Sequence, residues 1–286
     1  MKMIEVNESV LKKIYRKRDA WSHKYCFGHL LVIGGSKHYS GSPVFNALAA
    51  LRAGVDLVTI LAPERAANII ASFLPDLIAY PLKGEFLNKK HLPELIEFTK
   101  NKSAVVIGGG LCRKEEVFDA VLEYLKNLDL PCVIDADAIH AISLKKEVIK
   151  NKNFVLTPHS FEMYVLSGVK VSKNLKERAE VVRETAKKLK TTILLKGHVD
   201  VISDGTKVAL NRTGSPVMTK GGMGDTLAGI LGAYLARNVD VFTAACAAAY
   251  INGKSGEIAA KKYSEGIITS DLIEEIPNVI KNFIRY

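Results

Sequence analysis

The sequence predicts an α/β protein with a mainly parallel central sheet flanked by helices on both faces. Three observations support this class. Short apolar runs alternate with helical patterns along most of the chain, and no long linker rich in Pro, Gly or Ser interrupts it. Hydrophobic residues make up 48% of the 286 residues, which is enough material for a large core. We therefore expect one domain over residues 1–286.

The first half of the chain shows the alternation most clearly. His29–Gly34 is typical of a buried strand, Ser42–Ala53 has helical spacing, and Asp56–Leu61 is again strand-like. Apolar runs of this kind between helices are typical of parallel strands that are buried on both faces. Further elements are predicted, in chain order, at Ala104–Gly108 (strand), Lys114–Lys126 (helix), Cys132–Asp135 (strand), Phe154–Thr157 (strand), Leu175–Lys190 (helix) and Ile193–Lys196 (strand).

The last third of the chain has a different character. Val199–Ser203 and Lys207–Leu210, joined by Asp204-Gly205-Thr206, predict a hairpin near one edge of the sheet. After Gly221 the pattern becomes helical, and the first of these helices is predicted to have one apolar face, formed by Leu227, Ile230, Leu231, Tyr234 and Leu235. The small residues of Ala244–Ala249 would allow close helix packing, either inside the chain or against a second copy.

Composition narrows the function classes. The formal charge is +10, but the basic residues are dispersed and are not interleaved with aromatic side chains, so an RNA-binding surface is not indicated. The same charge would suit a phosphate-bearing small molecule. The four cysteines are isolated, which indicates neither a zinc site nor a disulfide framework. The longest stretch without Asp, Glu, Lys or Arg is the 14 residues His38–Leu51, too short for a membrane helix, and we expect a cytoplasmic location.

The strongest local motif is Lys220-Gly221-Gly222-Met223-Gly224-Asp225, directly before the first of the late helices. Glycines let the backbone approach a ligand closely, and the free amides at a helix start bind anions such as phosphate. A carboxylate at this point could accept a proton from a hydroxyl beside that phosphate. The alternative is a glycine turn in which Asp225 only caps the helix.

Two further glycine-rich loops follow predicted strands. Gly34–Pro43 opens a helix, and Gly108-Gly109-Gly110 follows the strand that ends near Ile107. Neither loop is a P-loop or a GxGxxG fingerprint. Because the carboxyl ends of parallel strands share one edge of a sheet, we expect these loops to border one cleft together with Asp225.

Polar side chains also follow the later strands. Asp135 and Asp137 could orient a phosphate-bound Mg²⁺ or cap the next helix, and capping is favoured for Asp137. His159 could bind substrate, transfer a proton, or bond only to the backbone of a helix start. Lys196 beside a glycine suits a nucleotide phosphate, although a solvated surface lysine has the same signature. We expect His159 and Lys196 on the same side of the molecule as Asp225.

Taken together, these motifs resemble the ribokinase-like superfamily and, within it, the NAD(P)H-hydrate dehydratase family, which repairs hydrated nicotinamide cofactors. The resemblance follows the family's motif order over residues 34–229. The motifs that carry it are GGSKHYSGSP (34–43), AALRAGVDLVT (49–59), GGGL (108–111), VIDADAIH (133–140), LTPHSFEM (156–163), LLKGHVDVI (194–202) and NRTGSPVMTKGGMGDTLAG (211–229).

The resemblance implies a nucleotide-dependent dehydration of the S epimer of hydrated NADH or NADPH (NADHX or NADPHX). The 6-hydroxyl of the hydrated ring would be phosphorylated by ADP or ATP with Mg²⁺, and loss of phosphate would restore the cofactor. Asp225 would be the catalytic base and a substrate contact, and Ser42, Gly110 and His159 would also bind substrate. The nucleotide would contact Lys196, Gly197, His198, Val199, Asp200 and Gly224. No protein metal ligand is assigned.

The resemblance further implies that ADP is used in preference to ATP, that the protein is a homotetramer, and that an NAD(P)H-hydrate epimerase is a separate chain. Three positions depart from the usual family pattern: Met223 stands where Thr is common, Ser42 where Ala is common, and Gly109 where Pro is common. Two alternatives stay open: a ribokinase-like kinase acting on a hydroxymethylpyrimidine, a thiazole or a sugar, and a non-catalytic nucleotide-binding protein.

Overall fold

In the computed structural model, which describes residues 2–15 and 17–283, ten strands form one sheet. Their order across the sheet is β1-β10-β9-β8-β7-β6-β5-β2-β3-β4, and all neighbours are parallel except β9, which is antiparallel to β8 and β10. The strands are β1 (Ile4–Glu5), β2 (His29–Ile33), β3 (Leu57–Pro63), β4 (Ile78–Leu82), β5 (Ala104–Ile107), β6 (Cys132–Ile134), β7 (Phe154–Leu156), β8 (Thr192–Leu195), β9 (Asp200–Ser203) and β10 (Val208–Asn211).

Helices cover both faces of this sheet. The α-helices are α1 (Gly41–Arg52), α2 (Glu64–Phe73), α3 (Leu92–Thr99), α4 (Glu115–Lys126), α5 (Asp137–Leu144), α6 (Ser160–Ser167), α7 (Leu175–Leu189), α8 (Met223–Ala236), α9 (Val241–Tyr263) and α10 (Thr269–Ile280). Alternate residues of β2 join different cores: Leu30 and Val32 pack with α1, α2 and α8–α10, and Leu31 and Ile33 pack with α3–α7. The predicted α/β class, with a mainly parallel sheet between two helical layers, is confirmed.

The elements predicted from periodicity are present, with boundaries that differ by a few residues. The hairpin is formed by β9 and β10, with Ser203 opposite Val208. The edge strands β1 and β4 and the helices α2 and α3 are not predicted from the sequence, and α5 and α6 are anticipated only as helix starts near Asp137 and His159. β1 has only two residues, which is too short for a two-residue period to be visible in the sequence. The organisation of the chain as one domain stays a prediction.

Helix α8 contradicts the prediction of a single apolar face. Every residue from Thr226 to Ala236 is buried, because the helix lies between the sheet and the helices α1 and α9. The close approach to α1 depends on Gly229, where a Cβ atom would lie 2.2 Å from the carbonyl oxygen of Asn46. The helix that carries Asp225 is therefore held from all sides.

The alanine-rich segment Ala244–Ala249 lies inside α9, and all six of its residues are buried within this chain. Of the two alternatives for this segment, internal packing is confirmed. In the described part of the chain, no helix is both long enough and apolar enough to cross a membrane.

The contact between α1 and α8 yields the first testable prediction. Gly229→Ala should destabilise the protein by about 1–3 kcal/mol, since the added methyl group would force the two helices apart. Chemical denaturation of the variant and the parent protein measures this difference. Gly266→Ala is the matched control, because a Cβ there would meet nothing within 4 Å. Equal stability losses in both variants would contradict the assigned contact.

Candidate active site

Five loops at the carboxyl ends of parallel strands line two cavities. The Ser42 cavity, of about 640 Å³, is bordered by Tyr39, Ser42, Gly110, Arg113, Asp137 and Asp225. The Lys196 cavity, of about 690 Å³, is bordered by His159, Lys196, Gly197, His198, Asp200 and Gly224. The consecutive residues Gly224 and Asp225 line different cavities, so the start of α8 borders both of them, and we call this place the junction. The predicted convergence of the loops on one side of the sheet is confirmed, but they line two cavities and not the single cleft that was expected.

The first turn of α8 offers unpaired amides at this junction. The helix is preceded by Gly222, which has a φ of 97° and supplies no side-chain cap. The Met223 N–H donates to the Lys220 carbonyl at 3.4 Å. The amides of Gly224 and Asp225 find no acceptor among the described residues. With the positive end of the helix dipole, they form an anion-binding terminus.

Asp225 lies in this first turn but does not cap the helix. Its Oδ1 accepts a hydrogen bond from the Ser42 hydroxyl, and its carbonyl oxygen accepts one from Asn46 Nδ2 at 2.7 Å. Burial and the nearby Asp135 carboxylate raise the pKa of Asp225 to about 6, against the opposing effects of Ser42 and Lys196. The interpretation as a helix cap is therefore wrong, and the carboxylate suits a base that works near neutral pH.

Lys196 is held at the same junction by two carboxylates. Its Nζ donates to Asp135 Oδ1 at 2.8 Å and lies 3.9 Å from Glu162 Oε2. Burial opposes the charge of Lys196, but the Asp135 and Glu162 carboxylates outweigh it and raise the lysine pKa. A Cβ on Gly224 would lie 3.3 Å from Nζ, so the cation and the amides of α8 face the same space. The alternative of a solvated surface lysine is wrong.

The loop after Lys196 is closed by Asp200. Asp200 Oδ1 accepts from the Gly197 N–H, and Oδ2 accepts from Asn211 Nδ2, both at 3.0 Å. Burial raises the pKa of this carboxyl to about 6. Gly197 and His198 border the Lys196 cavity, whereas Val199 is half-buried against the core. The nucleotide roles of these residues stay predictions.

His159 borders the Lys196 cavity, away from the other predicted substrate residues. Its Nδ1 accepts from the amides of Phe161 and Glu162, and its own N–H donates to Glu162 Oε2 at 2.8 Å. The interpretation as a histidine bonded to the backbone of a helix start is confirmed. Ser42 and Gly110, by contrast, share the Ser42 cavity with Asp225. Binding of substrate by these three residues stays a prediction.

The two aspartates after β6 have different partners. Asp137 accepts from the Cys112 N–H at 2.9 Å and from Arg113 Nε at 3.1 Å, and it does not cap α5, so that prediction is wrong. Asp135 Oδ1 accepts from Lys196 and from the Thr157 hydroxyl. Within residues 2–15 and 17–283, no cluster of three or more Cys, His, Asp or Glu side chains is arranged to hold a metal ion.

Two functional candidates were not found from the sequence. Asn46 holds the backbone of Asp225 and lies one helical turn after Ser42, so its helical spacing could have indicated it. Arg113, on the wall of the Ser42 cavity, follows the glycine loop without a recognisable pattern. The place of Arg113 on the cavity wall can be recognised only in the folded structure, where its side chain contacts Asp137 beside the glycine loop.

The chain is similar to known proteins over most of its length. A family model described as NAD(P)H-hydrate dehydratase matches residues 30–278. The chain is 37% identical over 285 residues to the ADP-dependent (S)-NAD(P)H-hydrate dehydratase of Cenarchaeum symbiosum, with 98% of each chain covered. It is 46% identical over 268 residues to the bifunctional NAD(P)H-hydrate repair enzyme of Pyrobaculum aerophilum, covering 93% of this chain. It spans only 53% of that relative, about half of its length.

A solved structure supports the same grouping. The ADP/ATP-dependent NAD(P)H-hydrate dehydratase of Bacillus subtilis, co-crystallised with ATP/Mg²⁺, superposes with a TM-score of 0.85 at 29% identity, covering 99% of both chains. A ribokinase-like superfamily protein of Enterococcus faecalis superposes with a TM-score of 0.87 at 23% identity, covering 99% of this chain and 96% of that chain, so the expected ribokinase-like fold is confirmed.

The raised pKa of Asp225 predicts a stability effect of known sign. The pKa of this carboxyl rises from 3.8 to about 6 on folding, so the folded protein binds the proton more tightly than the unfolded chain. Above pH 6, where Asp225 is ionised, this difference lowers the free energy of unfolding. Asp225→Asn should therefore increase stability at pH 7–8, by roughly 2–3 kcal/mol at most, and the gain should shrink as the pH falls from 6 to 4. Thermal unfolding measured at several pH values gives this difference directly.

The control for this experiment is Asp204→Asn. Although burial opposes the charge of Asp204, hydrogen bonds from Lys207 and Thr206 lower its pKa, so this substitution should give no gain at neutral pH. A stability gain for Asp225→Asn that stayed constant from pH 8 to pH 4 would contradict the assigned environment.

Proposed function

Since the chain belongs to the NAD(P)H-hydrate dehydratase family, we propose that it converts the S epimer of NADHX or NADPHX back to NADH or NADPH, with ADP as co-substrate. The observation that carries the proposal is the junction at α8, where Asp225, Lys196 and the free amides of the helix start face two adjoining cavities.

The proposed reaction has two steps, transfer of a phosphoryl group and elimination of phosphate. First, the 6-hydroxyl of the hydrated ring attacks the terminal phosphorus of ADP; an O–P bond forms, AMP leaves, and the hydroxyl proton passes to a base. Second, the C–O bond to the new phosphate breaks and a proton leaves the adjacent ring carbon, which forms the ring double bond and releases inorganic phosphate. Both steps need a base and neutralisation of phosphate charge near the reacting atoms.

Two side chains meet these needs. Asp225, with a pKa of about 6, is mostly ionised at pH 7 and can accept the hydroxyl proton. Lys196 is held charged by Asp135 and lies beside the amides of α8, so it can meet the phosphates of the nucleotide. In this proposal the hydrated nicotinamide occupies the Ser42 cavity and the nucleotide occupies the Lys196 cavity, with the transferred phosphoryl group between them.

A magnesium ion fits this site as a partner of the nucleotide. Mg²⁺ commonly binds through one or two carboxylates plus the phosphates of a substrate, and not in a cage made of protein ligands. Asp135 is the carboxylate at the junction that could orient the ion, whereas Asp225 is the proposed base and Asp137 is engaged by Arg113 in the Ser42 cavity. When bound, the ion would neutralise charge on the phosphates. Preference for ADP over ATP, a homotetramer and a separate epimerase stay predictions.

A direct assay tests the proposed activity. Purified protein with NADHX, ADP and Mg²⁺ should restore the absorbance of NADH at 340 nm and release equal amounts of AMP and phosphate. A small-molecule kinase would instead leave a stable phosphate ester, and a non-catalytic protein would bind nucleotide without turnover. No recovery of NADH with either ADP or ATP would reject the proposal.

Variants of Asp225 and Lys196 should affect different quantities, turnover in the first case and ADP binding in the second. Asp225→Asn should lower kcat by about 10²–10⁴-fold and leave ADP affinity nearly unchanged, because the amide keeps the shape but cannot accept a proton at neutral pH. Lys196→Ala should mainly weaken ADP binding, measured by isothermal titration calorimetry. Near-normal turnover by Asp225→Asn would show that another group is the base.

The pH profile identifies the base further. Because Asp225 must be ionised, kcat/KM for NADHX should fall as the pH decreases through about 6. Asp200 also has a pKa of about 6, so Asp200→Asn is the matched control. If Asp225 is responsible, the acid fall persists in Asp200→Asn; disappearance of the fall in that variant would assign it to Asp200.

A further inference from the structure

Helix α1 holds Asp225 at two points. The Ser42 hydroxyl donates to the side-chain Oδ1, and Asn46 Nδ2, one turn further along α1, donates to the main-chain carbonyl oxygen at 2.7 Å. The side chain and the backbone of the proposed base are therefore fixed by one neighbouring helix. A carboxylate held in this way loses little orientational freedom when substrate arrives.

The second carboxylate oxygen of Asp225 is in a different environment. Oδ2 has no hydrogen-bond partner among the described residues. It is also not among the fully buried polar side-chain atoms without a partner, which in the described chain are only His140 Nε2 and Ser255 Oγ. Oδ2 therefore reaches solvent, and Asp225 borders the Ser42 cavity. The contact with Ser42 leaves this oxygen as the one that a substrate can approach.

Gly109 provides the space for the Ser42 hydroxyl. A Cβ atom at this position would lie 1.8 Å from Ser42 Oγ and 2.9 Å from Asp225 Oδ1. The loop cannot simply move away, because the Gly109 carbonyl accepts a hydrogen bond from the Gly35 N–H at 2.8 Å. Any side chain at residue 109 would consequently push the hydroxyl off the carboxylate.

We propose that Ser42 is a positioning residue that acts through Asp225: it occupies Oδ1, so that Oδ2 receives the substrate proton, and Gly109 leaves the room for it. This proposal rests on the proposed role of Asp225 as the base. It differs from the direct substrate contact that the family resemblance implies for Ser42.

The charges around Asp225 set the direction of the expected effect. Burial and the Asp135 carboxylate raise the pKa of Asp225, whereas the Ser42 hydrogen bond and the Lys196 ammonium lower it. Lys196 is itself held by Asp135 and Glu162. Loss of the Ser42 hydroxyl removes one stabiliser of the ionised form, so the pKa of Asp225 should rise further.

The first test is the pH profile of Ser42→Ala with NADHX and ADP. The acid fall in kcat/KM should move to higher pH by about one unit, while the KM for NADHX at pH 8 changes little. The loss of rate should be largest near pH 6 and partly recovered at pH 8. A raised KM with an unmoved acid fall would mean that Ser42 contacts the substrate directly, and would overturn the proposal.

The second test uses Gly109→Ala and the double variant Ser42→Ala/Gly109→Ala. The single variant should shift the acid fall in the same direction, because its methyl group displaces the hydroxyl. The double variant should shift the acid fall by less than the sum of the two single shifts, since both substitutions remove the same hydrogen bond, while the methyl group at residue 109 still lies near Asp225 Oδ1. Additive shifts in the double variant would overturn the role of Gly109. If Gly109→Ala alone does not fold, the double variant, which lacks the crowded hydroxyl, is compared with Ser42→Ala instead.

A readout without turnover separates this proposal from the proposed function. In protein labelled with ¹³C at aspartate carboxyls, the Asp225 signal is identified by its loss in Asp225→Asn. Its titration midpoint should rise in Ser42→Ala by about the same one pH unit. If the wild-type protein does not dehydrate NADHX but the midpoint moves, the dehydratase assignment fails and the Ser42–Asp225 coupling stands; an unmoved midpoint overturns the coupling itself.

Discussion

The close packing of α8 is the constraint on which the site depends. Because small residues let this helix lie directly against the sheet and α1, the segment from Thr226 to Ala236 is buried on every side, and it fixes the direction in which the first turn points. The first turn then carries Asp225 and two free amides to the edge where the strands β2, β5, β6, β7 and β8 end. A helix with only one buried face could tilt relative to the sheet. Helix α8 cannot tilt without displacing residues that are packed around its whole circumference.

The second constraint is electrostatic. Three carboxylates, those of Asp135, Glu162 and Asp225, surround the single ammonium group of Lys196 in a poorly solvated place. The excess of negative charge keeps the lysine protonated, and burial together with the neighbouring Asp135 raises the pKa of Asp225 above that of an exposed aspartate. In the proposed function, Asp135 and Glu162 thus keep Lys196 charged for the nucleotide phosphates, and Asp135 also raises the proton affinity of Asp225 for the substrate hydroxyl.

Much of this fold could be predicted from the sequence because buried parallel strands and amphipathic helices leave regular patterns, as in β2, α4 and α7. Periodicity failed where the surroundings and not the pattern decide. Periodicity predicted one apolar face for α8, because the large apolar residues lie on one side of the helix. The sequence does not show that the small residues on its other sides are buried as well. It left cap and ligand roles open for Asp137 and His159, because those depend on Arg113, Cys112 and the local helix start.

The site also shows why no single motif in the sequence was sufficient. In a P-loop, the lysine and the phosphate-binding amides lie in one short segment. Here the amides belong to Gly224 and Asp225, while the lysine ends β8 and is held by Asp135 at the end of β6. The amides, the lysine and the aspartate each belong to a different strand or helix. The parallel sheet therefore brings together groups that a P-loop holds within one short segment. Because Asp135 contacts Lys196 and also raises the pKa of Asp225, the two groups are electrostatically coupled, and their placement depends on the packing of several strands and helices.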